Sequence, residues 1–170
     1  MPLNFDHASL AISNLGGHGG PIDSDINGPQ VVRIGGVGTL ADGTVIDLQI
    51  SNVTSYDTFN SIHNGVKHRT NGSFGSVNLR AAQSSSVPAS FVQLQFAFVA
   101  ATDSSPLTLG RTYVTFYDFD NSKNGIRECM QARGGVIGET VTLDTELQRF
   151  EINQTEIAAS GVSGLDPTLQ

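Results

Sequence analysis

Residues 31–53, VVRIGGVGTLADGTVIDLQISNV, decide the fold class. Asp42-Gly43 is a strong hairpin signal, because glycine reaches the backbone conformations of a tight turn and the aspartate bonds back to its own chain. Beyond the turn, Val45, Asp47 and Gln49 alternate with Ile46, Leu48 and Ile50, the two-residue period of a strand with one apolar face. Before it, residues 31–34 form a short strand that runs into Gly35-Gly36-Val37-Gly38. A phosphate-binding glycine loop would continue with Lys-Ser/Thr and an amphipathic helix; neither follows, so these glycines mark a bulged or bent strand. The hairpin then joins residues 37–40 to residues 44–53.

Outward from this hairpin the same pattern repeats. Residues 5–15 alternate as a first strand, with Leu10 and Ile12 on one face, and end in the irregular GGHGGP of residues 16–21. Residues 91–101, FVQLQFAFVAA, make the clearest strand, with Val92, Leu94, Phe96 and Phe98 on one face and Phe91, Gln93, Gln95, Ala97 and Val99 on the other. Between them, residues 54–75 are polar and longer than an ordinary turn, which predicts a surface loop used in contact with a partner. His63 and His68 stand there near Asp57 and Asn60, but no third ligand falls at a zinc spacing. Residues 77–79 start another strand, and residues 83–88 form a turn. In residues 111–119, Tyr113, Thr115 and Tyr117 alternate with Val114, Phe116 and Phe119, predicting a largely buried strand. Strands are further expected at 136–143 and 150–157. Together these predict an all-β, antiparallel β-sandwich, jelly-roll-like with about nine short strands, a Greek-key sandwich being the next choice. Residues 1–157 are expected to form one domain and residues 158–170 an extended tail.

Bulk composition narrows the function. The 170 residues carry a net charge of −7 with only nine Lys plus Arg, a poor match to a phosphate backbone, so nucleic-acid binding is disfavoured. No stretch reaches the roughly 20 apolar residues of a transmembrane helix. Cys129, the single cysteine, forms no internal disulfide and reads as a small apolar residue rather than a reactive thiol. The first residues, MPLNFDHASL, lack a basic segment and an apolar signal core, which fits either a cytosolic chain or one whose targeting peptide has been removed. Sequons at Asn52, Asn71 and Asn153 are common by chance in so Asn/Ser/Thr-rich a chain.

The chemistry-bearing candidates are two acidic loops. Asp118, Asp120, Asn121, Asn124 and Glu128 place five oxygen donors within eleven residues, with Gly125 available for a turn. Calcium takes six to eight oxygen ligands in flexible geometry, and a strand-end loop of this composition supplies them. The alternative is a solvated hairpin end, since Asp and Asn also favour turns. The second loop carries Asp23, Asp25 and Asn27 at alternate positions before Gly28, like the start of a calcium loop. An EF-hand is excluded because Ile34 stands where the twelfth-position Glu belongs, so a turn is the competing account. A glycoside hydrolase needs two carboxylates across a cleft, and no second one is indicated; nucleophile and metalloprotease motifs are absent.

The succession NLGGHGGP, VVRIGGVGT, DLQISNVTSY, NGSFGSVNL, QLQFAFV and YVTFYDFDNSKNGIRE resembles a family of β-sandwich domains from diatoms, dinoflagellates and related algae. The likeness covers roughly residues 5–155 and is most specific at the NLGG turn, the FG-x-x-NL element and TFYDFD. Proteins of the diatom pyrenoid shell are built from comparable β-rich domains. The resemblance implies a sandwich without known catalysis and a structural or binding role, with Asp118, Asp120 and Glu128 in the acidic element. It also favours a plastid (stroma or lumen) or extracellular location over the cytosol. Family members continue with further strands where this chain reaches residues 161–170, so an exposed sheet edge and pairing with other chains are expected. The expected function is a non-enzymatic assembly subunit stabilised by calcium. A lectin-like, glycan-binding module is the alternative, with Tyr56, Phe59 and Tyr117 as stacking surfaces, and a hydrolase comes third.

Overall fold

The computed structural model describes residues 3–69, 72–80, 91–110, 112–116, 129–132, 148–151 and 157–160. These are mostly strands in antiparallel sheets, with two single 3-10 turns, Leu15–Gly17 and Ser61–His63, and no α-helix among the described residues. The chain divides into two compact units, Met1–Tyr113 and Val114–Gln170.

The first unit contains β1 (Ser9–Ser13), β2 (Val31–Thr39), β3 (Val45–Asn52), β4 (Gly65–Arg69), β5 (Gly72–Ser76) and β6 (Leu94–Ala100). A four-stranded sheet runs in the order β1-β2-β3-β6, and β4 pairs with β5 in a sheet of two. The β2–β3 turn is the one expected: Thr44 N donates to Asp42 Oδ1 at 2.9 Å, Leu40 N to Thr44 O at 2.9 Å, and Gly43 takes φ +91. Glycine at the left-handed position of a three-residue hairpin loop explains why this signal was dependable. The glycine run of β2 is bulged, also as expected. Ile34 lies opposite Leu48 and Gly38 opposite Ile46, so three residues of β2 face the single Asp47, with Gly36 at φ +72.

Ile46, Leu48 and Ile50 of β3 enter the core with Leu15, Val32, Ile34, Val37 and Tyr56. Burying each such aliphatic side chain contributes about 1.5–3 kcal/mol, which makes this face the main source of stability in the unit. Leu94 and Phe98 of β6 pack against the same cluster, on the face the alternation predicts. The β4–β5 hairpin lies over the β1–β2 end: a Cβ on Gly65 would meet Leu10 at 2.5 Å, and one on Gly75 would meet Ile34 at 3.2 Å. Glycine here lets two layers approach more closely than side chains permit.

Several expectations are corrected. Leu10 and Ile12 do not share a face, because an extra residue, Ala11, sets Leu10 opposite Ile34 but Ile12 opposite Arg33. Residues 54–75 are not one long loop: they hold the Ser61–His63 turn, β4 and the start of β5, while residues 77–79 lie outside any strand. Residues 112–116 form no strand among the described residues, and Tyr113 is 84% exposed rather than buried. Alternating aromatic and β-branched residues fit a pleated, half-buried surface, but that preference reflects burial and neighbours rather than the residues alone.

In the second unit, β7 (Cys129–Ala132), β8 (Gln148–Glu151) and β9 (Ile157–Ser160) form a sheet in the order β7-β9-β8. Further corrections fall here. Glu151 pairs antiparallel with Ile157, so the single strand expected over residues 150–157 is the meeting of two strands. The central strand, β9, takes up Ala158–Ser160 from the segment read as a tail.

Both outer strands of the four-stranded sheet are blunted. β1 is short and bulged at Ala11. Beside β6 the chain folds back: Ala100 N donates to Ser105 O at 2.9 Å, Leu107 N to Phe98 O at 2.8 Å, and Pro106 stands opposite Val99. Short length, a bulge and a proline are each devices that discourage further strand pairing.

Candidate functional site

Of the predicted ligands, Asp118, Asp120, Asn121 and Glu128 lie outside the described residues, as does Tyr117. Asp23, Asp25 and Asn27 are described, and all three are exposed. Asp25 Oδ1 accepts from Asn27 N at 2.9 Å and Asp25 O accepts from Gly28 N at 2.9 Å, so the carboxylate closes its own turn. His63 ends the Ser61–His63 turn, while His68 Nδ1 meets Ser73 Oγ at 2.9 Å across the β4–β5 pair. Asp57 is taken by Arg80, with Nε to Oδ2 at 2.9 Å, and Asn60 caps the turn by accepting from Ile62 N at 3.2 Å. No group of three or more His, Cys, Asp or Glu is placed to hold a metal among the described residues.

The polar chemistry that the first unit does gather lies in two places that strand alternation did not indicate. The first is the sheet. Asp47, predicted on the polar face of β3, is buried, and its Oδ2 accepts from Arg33 Nε at 2.7 Å. Its Oδ1 accepts from Gly36 N at 3.0 Å, supplying the acceptor that the bulge removes from the ladder. Arg33 continues to Ser104 Oγ at 2.7 Å through Nη1 and to Ala100 O at 3.1 Å through Nη2. Ser104 holds φ +63, a left-handed conformation unusual for a residue with a side chain. Both oxygens of Asp47 and all three nitrogens of Arg33 are therefore occupied, which leaves neither group free to act as a base or to bind an anion.

The second place is a set of neutral amides under the loops. Asn14, fully buried, donates from Nδ2 to Asp25 O at 3.1 Å, Ile26 O at 3.3 Å and Pro29 O at 3.4 Å, and accepts from Gly19 N at 3.1 Å. One side chain thus organises the glycine-rich segment after β1. Next to it, Gly16 at φ +61 leaves room for the Tyr56 ring, whose atoms would lie 3.0 Å from a Cβ. Tyr56 is 6% exposed, and its hydroxyl donates toward Asn64 Oδ1 at 3.1 Å and toward Asn78 O. Asn64 Oδ1 also accepts from Asn78 N at 2.8 Å, and Asn78 Oδ1 accepts from Asn60 N at 2.9 Å and Thr58 Oγ1 at 3.1 Å. The NLGG and FG-x-x-NL stretches singled out in the sequence contribute Asn14 and Asn78 to this layer. Their physical meaning is loop fixation.

Several large apolar side chains are open to solvent as well. Phe59 is 73% exposed and Phe91 is 74% exposed. Ile62, 53% exposed, lies three residues beyond Phe59, and Val53, 58% exposed, donates from N to Gln93 O at 2.7 Å just before β6. Comparison with protein-family models, with curated proteins and with solved structures returns no match. Among the described residues no helix is long and apolar enough to cross a membrane.

Proposed function

We propose that this chain is a non-enzymatic structural or assembly subunit on a jelly-roll-like β-sandwich of about nine strands. The observation that carries the reading is the exposure of Phe59, Phe91, Ile62 and Val53, all more than half exposed. Exposed aromatic and aliphatic side chains of this size are the usual anchors of protein contacts. The blunted β1 and β6 edges favour contact through these side chains over sheet extension. Light scattering on the full chain over a concentration series is the test. The expected result is an oligomer whose mass rises with concentration and falls when Phe59 and Phe91 are both replaced by Ser. A monomer at every concentration overturns self-assembly.

The calcium part of the proposal attaches to Asp118, Asp120, Asn121 and Glu128. Melting with calcium and with a chelator tests it, and no shift in either, unchanged on replacing Asp118 and Asp120 by Asn, reduces that loop to a solvated turn. A carbohydrate-binding role is the second reading. Of its proposed stacking residues, Tyr56 is committed to the interior, whereas Phe59 presents its ring to solvent. Glycan-array binding that is lost in Phe59→Ala would favour this reading over the first.

A further inference from the structure

We propose that Asn27 is a site of spontaneous deamidation in the native protein, and that the fold shields the chemically equivalent Asn64 from the same reaction. The chain has four Asn-Gly pairs, beginning at Asn27, Asn64, Asn71 and Asn124, of which the first two are described together with their glycines. In such a pair the glycine nitrogen attacks the asparagine Cγ. The new N–Cγ bond closes a succinimide ring, the Cγ–Nδ2 bond breaks, and ammonia leaves with the proton from the backbone amide. Water then opens either imide carbonyl, giving aspartate or isoaspartate. Nothing is oxidised or reduced, and water is the only co-reactant. Glycine favours ring closure because no Cβ obstructs its nitrogen.

The two sites differ in what must move. Asn27 is exposed, and among the described residues its carboxamide takes no hydrogen bond. Asn14 anchors the carbonyls on either side, Ile26 O and Pro29 O, and leaves the Asn27-Gly28 peptide spanning between them. One turn bond, Gly28 N to Asp25 O at 2.9 Å, restrains the nucleophile, and a bond in an exposed loop opens at little cost. Asn64 is fully buried, and its Oδ1 is held by Tyr56 and Asn78. Gly65 begins β4 at φ +117, opposite Ser76 and pressed against Leu10. Ring closure at Asn64 requires breaking both side-chain bonds and lifting the start of β4 from the core. Conversion at Asn27 adds a negative charge and turns residues 23–27 into three carboxylates at alternate positions.

The test ages the full chain at mildly alkaline pH, natively and in urea, and follows both sites by mass spectrometry of tryptic peptides. Cleavage at Arg33 and Lys67 puts Asn27 and Asn64 on separate peptides, and fragmentation assigns the modified residue. Protection is the urea rate divided by the native rate. The expected result is protection of Asn64 exceeding that of Asn27 by about tenfold or more, as for a reaction that needs local opening. A smaller difference overturns the proposal. Asn27→Gln is expected to abolish acid formation in the peptide of residues 1–33; if it persists there, the site is elsewhere and the assignment fails.

Discussion

The sheet and the loop layer of the first unit both bury polar side chains, but they do so with different chemistry. In the sheet, one carboxylate and one guanidinium hold a bulge: Asp47 binds Gly36 N and Arg33, and Arg33 binds the turn after β6. In the loops, Asn14, Asn64 and Asn78 bridge backbone groups without carrying charge. A buried charge left without its partner costs about 3–5 kcal/mol, whereas a buried neutral group left unpaired costs about 1–3 kcal/mol. The sheet network is therefore the more brittle of the two, and the loop layer fails piecemeal.

The largest expected effect follows from removing one member of the charged pair. Asp47→Ala leaves Arg33 partly buried without its counter-ion and Gly36 N without an acceptor, and is expected to cost about 3–5 kcal/mol in urea unfolding. Asp47→Asn keeps an oxygen for Gly36 and is expected to fall between wild type and the alanine variant. A loss below that of the Asn14 variants would reverse the comparison.

Asn14→Ala is expected to cost about 2–3 kcal/mol, since it leaves three carbonyls and Gly19 N to find other partners. Asn14→Asp sharpens the point. It has the same shape but sets a carboxylate against the oxygens of Asp25, Ile26 and Pro29, so at neutral pH it is expected to be at least as damaging as alanine. Retention of wild-type stability in Asn14→Asp would show that volume alone matters at this position.

The smallest effect concerns pH. Asp42 and Asp103 titrate below the ordinary value of 3.8, first because Thr44 N and Ser105 N, respectively, donate to their carboxylates. A depressed carboxylate stabilises the fold fully above its unfolded pKa and loses that contribution as pH falls through the folded value, so the window lies below 3.8 for both turns. Both groups are solvent-exposed, and the contribution is small. Side-chain NMR titration is expected to show both midpoints below 3.8; a midpoint at or above it would remove the turn bond from solution.

How far the sequence foretold this depends on whether a feature is local. The Asp42-Gly43 turn, the bulged glycine run and the core face of β6 are set by nearby residues, and they were legible. Asp47 was not, because alternation assigns it to the solvent face. Only the bulge brings Gly36 to its carboxylate, and only pairing between β2 and β3 brings Arg33. Leu10 and Ile12 were misplaced for the same reason: a one-residue insertion cannot be seen until the partner strand is known. Residues 113–116 show the converse: strong strand propensity, yet no strand is formed there among the described residues and Tyr113 and Val114 are exposed. The acidic loop at residues 118–128 stays a reading of composition and spacing.

The bulge also bears on the length of β2. Between Ile34 and Gly38 the strand spends three residues where β3 spends one. Losing Gly36 alone would leave two residues opposite Asp47, the count of an ordinary bulge, and keep Val37, whereas losing Gly36 and Val37 together would remove the bulge and sacrifice one buried valine. A pair of shortened chains, compared by thermal melting, should therefore rank with the single deletion of Gly36 the better tolerated. The bulge thus gives this segment a tolerance of length that a regular ladder lacks.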